Sequence, residues 1–429
     1  MVMVGSSVYG NNKIAVALDS LGCKLNQAEI ENLSYELAAA GYDVVSPSEK
    51  HDIYILNTCT VTHIADRKSR HMLRMARRRN PAVHLVVIGC YAERKPSDFA
   101  AIEAVDLVID NERKTDLVKI LDESFGLSDK PVDTSPDVLK DSRRTRSFIK
   151  VQDGCRNFCS YCIVPLVRRH EVSVPAGTVV SRVVARVAAG YKEVVLTGTE
   201  IGTYYHDGVD LQGLIKRILD ETDIVRLRLS SLQPPEITPD LVGLWRDPRL
   251  CPHFHLSLQS GSDSVLRRMK RRYDTAGYRR TVSLIRESVP DVAVTTDIIV
   301  GFPGETDDEF AESLEFCREM RFARIHVFPY SPRPGTAAAE MAPAVPANVR
   351  KKRSEVMLKL AQDSSLAFRK GYLGRTTDVL WEQKSAGIWS GLTGNYIRVY
   401  TKNSQDLVNS LTPVNLEYIY RDGLWGSIT

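Results

Sequence analysis

Three cysteines fall within eight residues of this sequence, at Cys155, Cys159 and Cys162, in the spacing C-x3-C-x2-C. Thiolates are the ligands that iron–sulfur centres select. A cube of four irons held by three thiolates keeps one iron open to a ligand that is not protein. A structural zinc site would need a fourth protein ligand, and His170 lies eight residues further on. The spacing therefore predicts a [4Fe-4S] cluster with an open iron. Tyr161, between the last two cysteines, is expected to shield the cluster or to pack on a ligand.

A second set of cysteines lies at the ends of predicted strands. The segments KIAVALDSLG, DIYILNT and HLVVIG lead to Cys23, Cys59 and Cys90. Helical patterns separate them, so the strands are expected to be parallel, with their carboxyl ends at one edge of a sheet. Free cysteines are usually small buried side chains, but three at equivalent strand ends favour a second metal site.

The helix after Cys23 is predicted to begin at Asn26, with Glu29 close to a capping-box position, and to stop at Gly41. A basic helix is predicted from about residue 65 to residue 79. Cys251 and Cys317 have no metal-like partners and are interpreted as packing residues. His63, His84 and His255 are likewise given structural roles, and no pair of carboxylates with acid–base spacing is evident.

The pattern divides the chain into an α/β domain at residues 12–121, a Ser-, Asp- and Pro-rich linker at 122–142, and a second α/β run at 143–366. Six strand–helix units in that run predict a partial (β/α) barrel with the first cysteine loop at its C-terminal mouth. A basic amphipathic helix follows at 348–370. After Gly371 the pattern changes to period two, which predicts a small β-barrel or sandwich with a hairpin turn at Asp422-Gly423, in a last domain assigned to residues 367–429.

Composition limits the protein's class. The chain has 429 residues, 43% of them hydrophobic, eight cysteines and a net charge of +4. This is ordinary for a globular protein and too poor in cysteine for a disulfide scaffold. No signal-peptide core and no stretch of about twenty apolar residues is present. A soluble, cytoplasmic protein with reduced thiols and no membrane partner is expected, and its oligomeric state is not indicated.

These motifs resemble those of the radical SAM methylthiotransferase family over nearly the whole chain. The matching segments include LGCKLNQAE, LNTCTVT, IGCYAE, IKVQDGCRNFCSYCIVP, HLSLQSGSD and TDIIVGFPGETDDEF. The resemblance implies an auxiliary [4Fe-4S] cluster on Cys23, Cys59 and Cys90, and a C-terminal TRAM-like RNA-binding barrel. It also implies that S-adenosyl-L-methionine (SAM) fills the open iron at Cys155, Cys159 and Cys162.

The family's chemistry uses two SAM molecules and a low-potential electron donor. One SAM donates a methyl group to sulfur held on the auxiliary cluster. The other is cleaved to a deoxyadenosyl radical, which takes hydrogen from the C–H bond where the methylthio group is inserted. The six cysteines are assigned as metal ligands, and no residue is assigned a catalytic role.

The resemblance places the SAM pocket at the barrel mouth. Gly198-Thr199-Glu200 stands where related enzymes carry a GGE-like motif that meets the methionine amino group. Ser257 and Gln259 end a later strand, and Gly301, Pro303 and Gly304 form a turn that approaches the adenine; ordinary βα loops are the alternative for these glycines. The family usually shows an Arg-Gly pair after the cluster loop, and this chain has Arg168-Arg169.

The family divides into groups that modify isopentenyladenosine in tRNA, threonylcarbamoyladenosine in tRNA, or an aspartate of a ribosomal protein. Lys24 after Cys23, together with QDGC and NFC, resembles the threonylcarbamoyl group. The implied activity is methylthiolation of C2 of N6-threonylcarbamoyladenosine at position 37, in the anticodon loop of tRNA. The other two groups are enzymatic alternatives, and an iron–sulfur RNA sensor without catalysis is a third.

Basic residues cluster in three runs, which suits a polyanionic partner. One run lies on the predicted helix between Cys59 and Cys90, where Arg70, Arg74 and Arg77 recur at helical spacing. These three arginines are predicted to bind tRNA phosphates, with a solvated surface helix as the alternative. The second run lies just before the barrel, and the third spans residues 267–272.

Overall fold

The computed structural model describes residues 13–100, 105–125 and 145–429, and the chain divides into two compact units. The N-terminal unit comprises residues 1–142 together with Ile163–Arg169, and the C-terminal unit comprises 143–162 together with His170–Thr429. Residues 122–125 of the predicted linker belong to a helix, and its residues 126–142 lie outside the described part. Arg143 and Arg144 of the second basic run lie outside it too.

Alternating strands and helices build the N-terminal unit, as predicted. Its elements are β1 (Ala15–Ser20), α1 (Lys24–Ala39), β2 (Asp43–Val45), β3 (Ile53–Thr58), α2 (His63–Arg79), β4 (His84–Gly89), α3 (Cys90–Arg94), α4 (Pro96–Ala100), β5 (Leu107–Val108) and α5 (Leu117–Phe125). In the described residues the strands form one parallel sheet in the order β2-β1-β3-β4-β5. Strands β3 and β4 are almost wholly buried, as expected of a parallel sheet covered on both faces.

The start of α1 differs from the prediction. The helix begins two residues before Asn26, with Cys23 as its N-cap and no side-chain capping bond. Asn26 instead donates to the carbonyl oxygens of Leu21 and Thr58, at 2.8 and 3.1 Å, and Glu29 is used elsewhere. The capping-box interpretation is therefore wrong, because long-range partners take both side chains. The predicted stop is confirmed, since α1 ends at Ala39 and Gly41 has a φ of +88°.

The first part of the C-terminal unit is the predicted (β/α) barrel. Its strands and helices are β6 (Arg146–Lys150), β7 (Gln152–Asp153), β8 (Val172–Ser173), α7 (Ala176–Ala188), β9 (Glu193–Thr197), β10 (Tyr205–His206), β11 (Val209–Asp210), α8 (Leu211–Glu221), β12 (Arg226–Leu229), β13 (Ser231–Leu232), α9 (Pro239–Gly243), β14 (His253–Leu256), α10 (Asp263–Arg268), α11 (Thr275–Ser288), β15 (Ala293–Val300), α12 (Asp307–Met320) and β16 (Arg324–Pro329). The short helix α6 (Val164–Val167), which precedes β8 in the chain, belongs to the N-terminal unit.

In the described residues, strands β6, β9 and β12 pair in parallel, and β13, β14, β15 and β16 form a second parallel sheet. These strands contain the six predicted barrel strands in the predicted order. Their apolar side chains and those of the covering helices share one core. The strands of these two sheets run parallel, so their carboxyl ends form one mouth, where the cysteine loop begins after β7.

A long helix, α13 (Ala347–Lys370), follows the barrel and matches the predicted basic helix. The predicted domain boundary at residue 367 falls inside it. Beyond it the strands are β17 (Thr376–Ser385), β18 (Ile388–Thr393), β19 (Arg398–Thr401), β20 (Leu411–Tyr420) and β21 (Gly423–Ile428), which close a barrel in the order β17-β18-β19-β21-β20. The last hairpin turns at Arg421-Asp422, one residue earlier than predicted, because Gly423 already pairs with Tyr420.

Candidate functional site

The strand-end cysteines of the N-terminal unit lie at one sheet edge, as predicted. Strands β1, β3 and β4 are neighbours in register, with Ser20 opposite Asn57 and Thr58 opposite Gly89. Cys23, Cys59 and Cys90 follow these three strands by one to three residues. Proximity therefore comes from parallel pairing, which brings together residues far apart in the chain.

Glycine allows the backbone to approach these cysteines closely. Gly22 has a φ of +97°, and a Cβ added there would lie 2.6 Å from the Sγ of Cys59. Gly89, next to Cys90, has a φ of +98°, and its added Cβ would lie 2.3 Å from the Oδ1 of Asn57. A larger residue would be strained at both positions and would displace a cysteine or its support.

The environment of these thiols disfavours their deprotonated form unless a cation is bound. Burial, with smaller contributions from nearby Cys23 and Cys90, raises the pKa of Cys59 to about 12. The pKa of Cys23 is also raised, by desolvation of its thiol and by Cys90, although the residue as a whole is exposed. A bound cation favours the thiolates that burial and mutual repulsion disfavour. Three thiolates at one sheet edge fit an iron–sulfur cluster with one open iron.

A buried ionic network lies against this site. The guanidinium of Arg168 donates to the Sγ of Cys90 at 3.3 Å and to both carboxylate oxygens of Glu29, at 2.8 and 3.1 Å. It also donates to the Oδ1 of Asn26 at 3.1 Å. Lys114 donates to Glu29 at 2.7 Å, and the Arg168 side chain is 3% exposed. Arg168, to which the sequence motifs assign no role, therefore contacts a predicted metal ligand.

The cysteine loop of the C-terminal unit is held by its own backbone and by the barrel. The amide of Cys162 donates to the carbonyl of Cys159, and that of Asn157 to the Sγ of Cys155 at 3.4 Å. Ser160 bonds the carbonyls of Met269 and Arg268 through its amide and hydroxyl groups, at 3.0 and 2.8 Å. These bonds pin the middle of the loop to the end of α10.

The sulfurs of this loop also have a cationic neighbour. Arg271 donates to the Sγ of Cys159 at 3.2 Å. Burial raises the pKa of Cys155 to about 11. Tyr161 packs on an apolar cluster that includes Met269 and Phe302. A short loop with three thiols, partly open to solvent, fits a cluster that must accept an exogenous ligand.

The predicted Gly198-Thr199-Glu200 segment lies at the barrel mouth next to this loop. A Cβ added to Gly198 would lie 2.8 Å from the carbonyl oxygen of Gln152, so glycine is needed for the close approach. The amide of Glu200 donates to the Gln152 side chain at 2.8 Å. The carboxylate of Glu200 accepts from Asn157 of the cysteine loop at 3.1 Å, and also from Gln233. Glu200 is thus oriented toward the loop, and Thr199 contacts Asp153 at 3.4 Å.

The predicted residue Glu200 has a second carboxylate beside it at the mouth, Glu236, which was not among the residues predicted from the sequence. Glu236 faces Glu200 closely enough that burial and this neighbour raise the pKa of Glu236 to about 9. Burial raises the pKa of Glu200 as well. Like charges this close share a proton at neutral pH. The two residues are 36 positions apart, so no local spacing could reveal the pair.

The remaining predicted SAM residues have the following surroundings. Ser257 accepts from Arg271 through its carbonyl at 3.3 Å, and Gln259 has a φ of +70° and bridges to β15. Gly301 donates to Glu305 at 2.7 Å and has no room for a Cβ beside Arg350. Gly304 donates to the carbonyl of Pro343. Structural contacts account for both glycines, and their role toward SAM stays a prediction.

The three arginines predicted to bind tRNA differ in their contacts and exposure. Arg70 donates to the hydroxyl of Tyr91, and Arg77 binds two carbonyl oxygens and Asp106. Arg74 is exposed. Arg67, Arg74 and Arg78, with His71 between them, form an exposed basic stripe along one face of α2.

None of the helices in the described part of the chain has an apolar stretch long enough to cross a bilayer. Residues 149–317 match the family model of the radical SAM superfamily, and residues 15–110 match the uncharacterized protein family UPF0004. The fold is similar to that of the radical SAM methyltransferase TsrM from Kitasatospora setae, with a TM-score of 0.54 over 76% of this chain and 77% of that one, at 14% identity.

Curated relatives match at much higher identity. Threonylcarbamoyladenosine tRNA methylthiotransferase MtaB of Bacillus subtilis is 34% identical over 95% of both chains. MtaB of Thermotoga maritima is 38% identical over 89% of this chain and 90% of its own. The tRNA-2-methylthio-N(6)-dimethylallyladenosine synthase of Endomicrobium trichonymphae is 33% identical over 96% and 99%. The chain therefore belongs to the radical SAM methylthiotransferase family and is an enzyme that uses SAM and iron–sulfur chemistry.

Proposed function

We propose that this protein adds a methylthio group to C2 of N6-threonylcarbamoyladenosine at position 37 of tRNA, in the anticodon loop. The observation that carries the proposal is a pair of three-cysteine sites, one in each unit, each too small to close a cube of four irons. The substrate is the one for which the MtaB relatives are named.

Cys155, Cys159 and Cys162 would hold one [4Fe-4S] cluster, and Cys23, Cys59 and Cys90 would hold the other. When bound, the first supplies the electron that cleaves SAM to a deoxyadenosyl radical, and the second supplies an iron on which sulfur is held. An external low-potential donor would deliver the electron.

The chain's own residues orient these groups. Asn157 and Gln233 fix the carboxylate of Glu200 at the mouth, and this carboxylate would accept a hydrogen bond from the amino group of SAM. The proton shared by Glu200 and Glu236 lowers the charge of this pair, which limits its repulsion of the SAM carboxylate. Arg271 and Arg168 donate to one cysteine sulfur in each site, and such hydrogen bonds stabilise a thiolate ligand.

The experiment that tests the substrate is mass analysis of nucleosides from tRNA of a strain with and without this protein. Loss of the methylthio derivative of threonylcarbamoyladenosine, restored by the wild-type gene, is expected. Loss of the methylthio derivative of isopentenyladenosine instead would assign the activity of the Endomicrobium relative. An unchanged set of tRNA nucleosides would contradict a tRNA substrate and direct the search to an aspartate of a ribosomal protein.

A further inference from the structure

A polar group of side chains that includes none of the six candidate cysteine ligands lies on the inner wall of the barrel. His255, Asp297 and His326 lie on the neighbouring strands β14, β15 and β16. In the strand registers Thr295 is opposite His255, and Asp297 is opposite His326. One ring nitrogen of each histidine and one carboxylate oxygen of Asp297 lie within 4.8 Å of one another.

The alternation of each strand shows that these side chains face the barrel interior. Thr296 bonds the hydroxyl of Tyr278 on α11, so Thr296 faces the helices and Asp297 faces inward. On β16, Ile325 and Val327 pack in the apolar core beneath the helices, so His326 points the other way. The helices cover one face of this wall and leave the polar face to the interior.

One member of the group is held in place and another is open to solvent. His255 bonds the hydroxyl of Thr295 through Nδ1 at 3.0 Å and the carboxylate of Asp297 through Nε2 at 3.2 Å. Its side chain is 12% exposed and that of Asp297 is 27% exposed, whereas His326 is exposed. The backbone oxygen of Asp297 accepts from the amide of Gln259 at the strand ends, so the group lies just below the mouth.

The interior of a (β/α) barrel is normally filled by branched apolar side chains. Here the same wall exposes His326 together with Arg324 and Phe328, which lie two residues to either side on β16. Phe328 is 44% exposed. An exposed aromatic ring beside hydrogen-bonding and cationic groups is a surface that recognises an unstacked base and its polar substituents.

We propose that this wall binds the target nucleoside and selects an adenosine whose N6 substituent is polar and anionic. His326 donates to the carboxylate of the substituent, Asp297 accepts from its hydroxyl or carbamoyl N–H, and the adenine ring lies on Phe328. The inference rests on the proposed function, because a threonylcarbamoyl group carries these polar atoms and a dimethylallyl group carries none. A site built to bond such atoms rejects a substituent that leaves them unpaired.

The test measures anaerobic binding of anticodon stem-loop RNAs to the reconstituted full-length protein. Two RNAs differ at position 37, which is either threonylcarbamoyladenosine or unmodified adenosine. The readout is the ratio of their Kd values, so a general loss of RNA binding cancels. Wild type is expected to prefer the modified RNA, and His326→Leu to lower that preference about tenfold, as for a missing hydrogen bond to a charged group.

Three further variants make the result interpretable. His326→Gln keeps an N–H donor and should retain most of the preference, and Asp297→Asn should lower it. His206→Leu, on the β10–β11 hairpin and paired with Asp207, is the matched control that should leave the ratio unchanged.

A wild type without any preference would contradict the proposed substrate, and this inference with it. A wild-type preference that survives both His326→Leu and Asp297→Asn would overturn the inference alone. Metal analysis could also overturn the inference. If wild type contained a divalent metal in addition to cluster iron, and both variants lacked it, the group would be a metal site.

Discussion

The guanidinium of Arg168 contacts both a buried carboxylate and a cysteine sulfur at the auxiliary cysteine site. It bonds Glu29, which is buried, and at the same time donates to the sulfur of Cys90. A buried carboxylate needs its cationic partners, because a charge left unpaired in the interior is costly. The N–H···S bond is one of the interactions that adjust the reduction potential of a thiolate-held cluster.

Replacing Arg168 by Met should therefore have two measurable effects. Urea unfolding should show a decrease in stability of about 3 kcal/mol, the usual cost of breaking a buried pair. In a background where Cys155, Cys159 and Cys162 are Ala, the remaining cluster should have a more negative midpoint potential, because the variant lacks a bond that stabilises its reduced form.

The neighbouring Arg169 is the matched control for this change. Its side chain is 64% exposed and lies 3.5 Å from Glu93, so Arg169→Met should change the stability by less than about 1 kcal/mol. Equal effects of the two substitutions on stability and potential would mean that the hydrogen bond to Cys90 has no specific role.

At the scale of elements, α2 shows that a basic helix can be predicted from sequence, whereas the roles of its individual arginines cannot. Its helical period and its basic character were predictable from residues 65–79 alone. Which arginines serve the fold was not, because the partners of Arg77 are supplied by Pro81, Val83 and Asp106. The capping box at Asn26 failed for the same reason, since bonds to distant strands took both side chains.

The exposed stripe of α2 gives a sharper test of tRNA binding than Arg70 and Arg77, because those two side chains bond other groups of the protein. Arg67→Glu, Arg74→Glu and Arg78→Glu together should weaken tRNA binding, because phosphate contacts dominate such affinity. The slope of log K against log salt should fall by about one for each phosphate that the variant no longer binds.

Lys119→Glu on α5 provides an equal charge change per residue at an exposed position of the same unit. It should leave the salt slope unchanged. If the stripe variant keeps wild-type affinity and slope, α2 is a solvated surface, and the binding must be sought in the final barrel or in the run at residues 267–272. That run lines a groove of about 860 Å³ with Arg267, Arg271 and Arg272.

At the scale of the molecule, the two cysteine sets were predictable for different reasons. The spacing of Cys155, Cys159 and Cys162 is local and needs no fold. Cys23, Cys59 and Cys90 required the inference that three parallel strands end at one edge, which the sheet order confirms. The Glu200–Glu236 pair and the inner-wall histidines depend on strand register and loop packing, and neither leaves a signal in sequence spacing.

The measurement that tests the central claim most directly is parallel quantification of 5′-deoxyadenosine and methylthiolated RNA for wild type and the Cys59→Ala, Cys90→Ala double variant. Both proteins are reconstituted with iron and sulfide, and supplied with SAM, a reductant and RNA that carries threonylcarbamoyladenosine. Wild type is expected to make both products. The variant is expected to make 5′-deoxyadenosine but no methylthiolated nucleoside, because Cys155, Cys159 and Cys162 remain while the sulfur-holding site is removed. Methylthiolation by the variant at the wild-type rate would contradict a sulfur-holding role for the auxiliary cysteines.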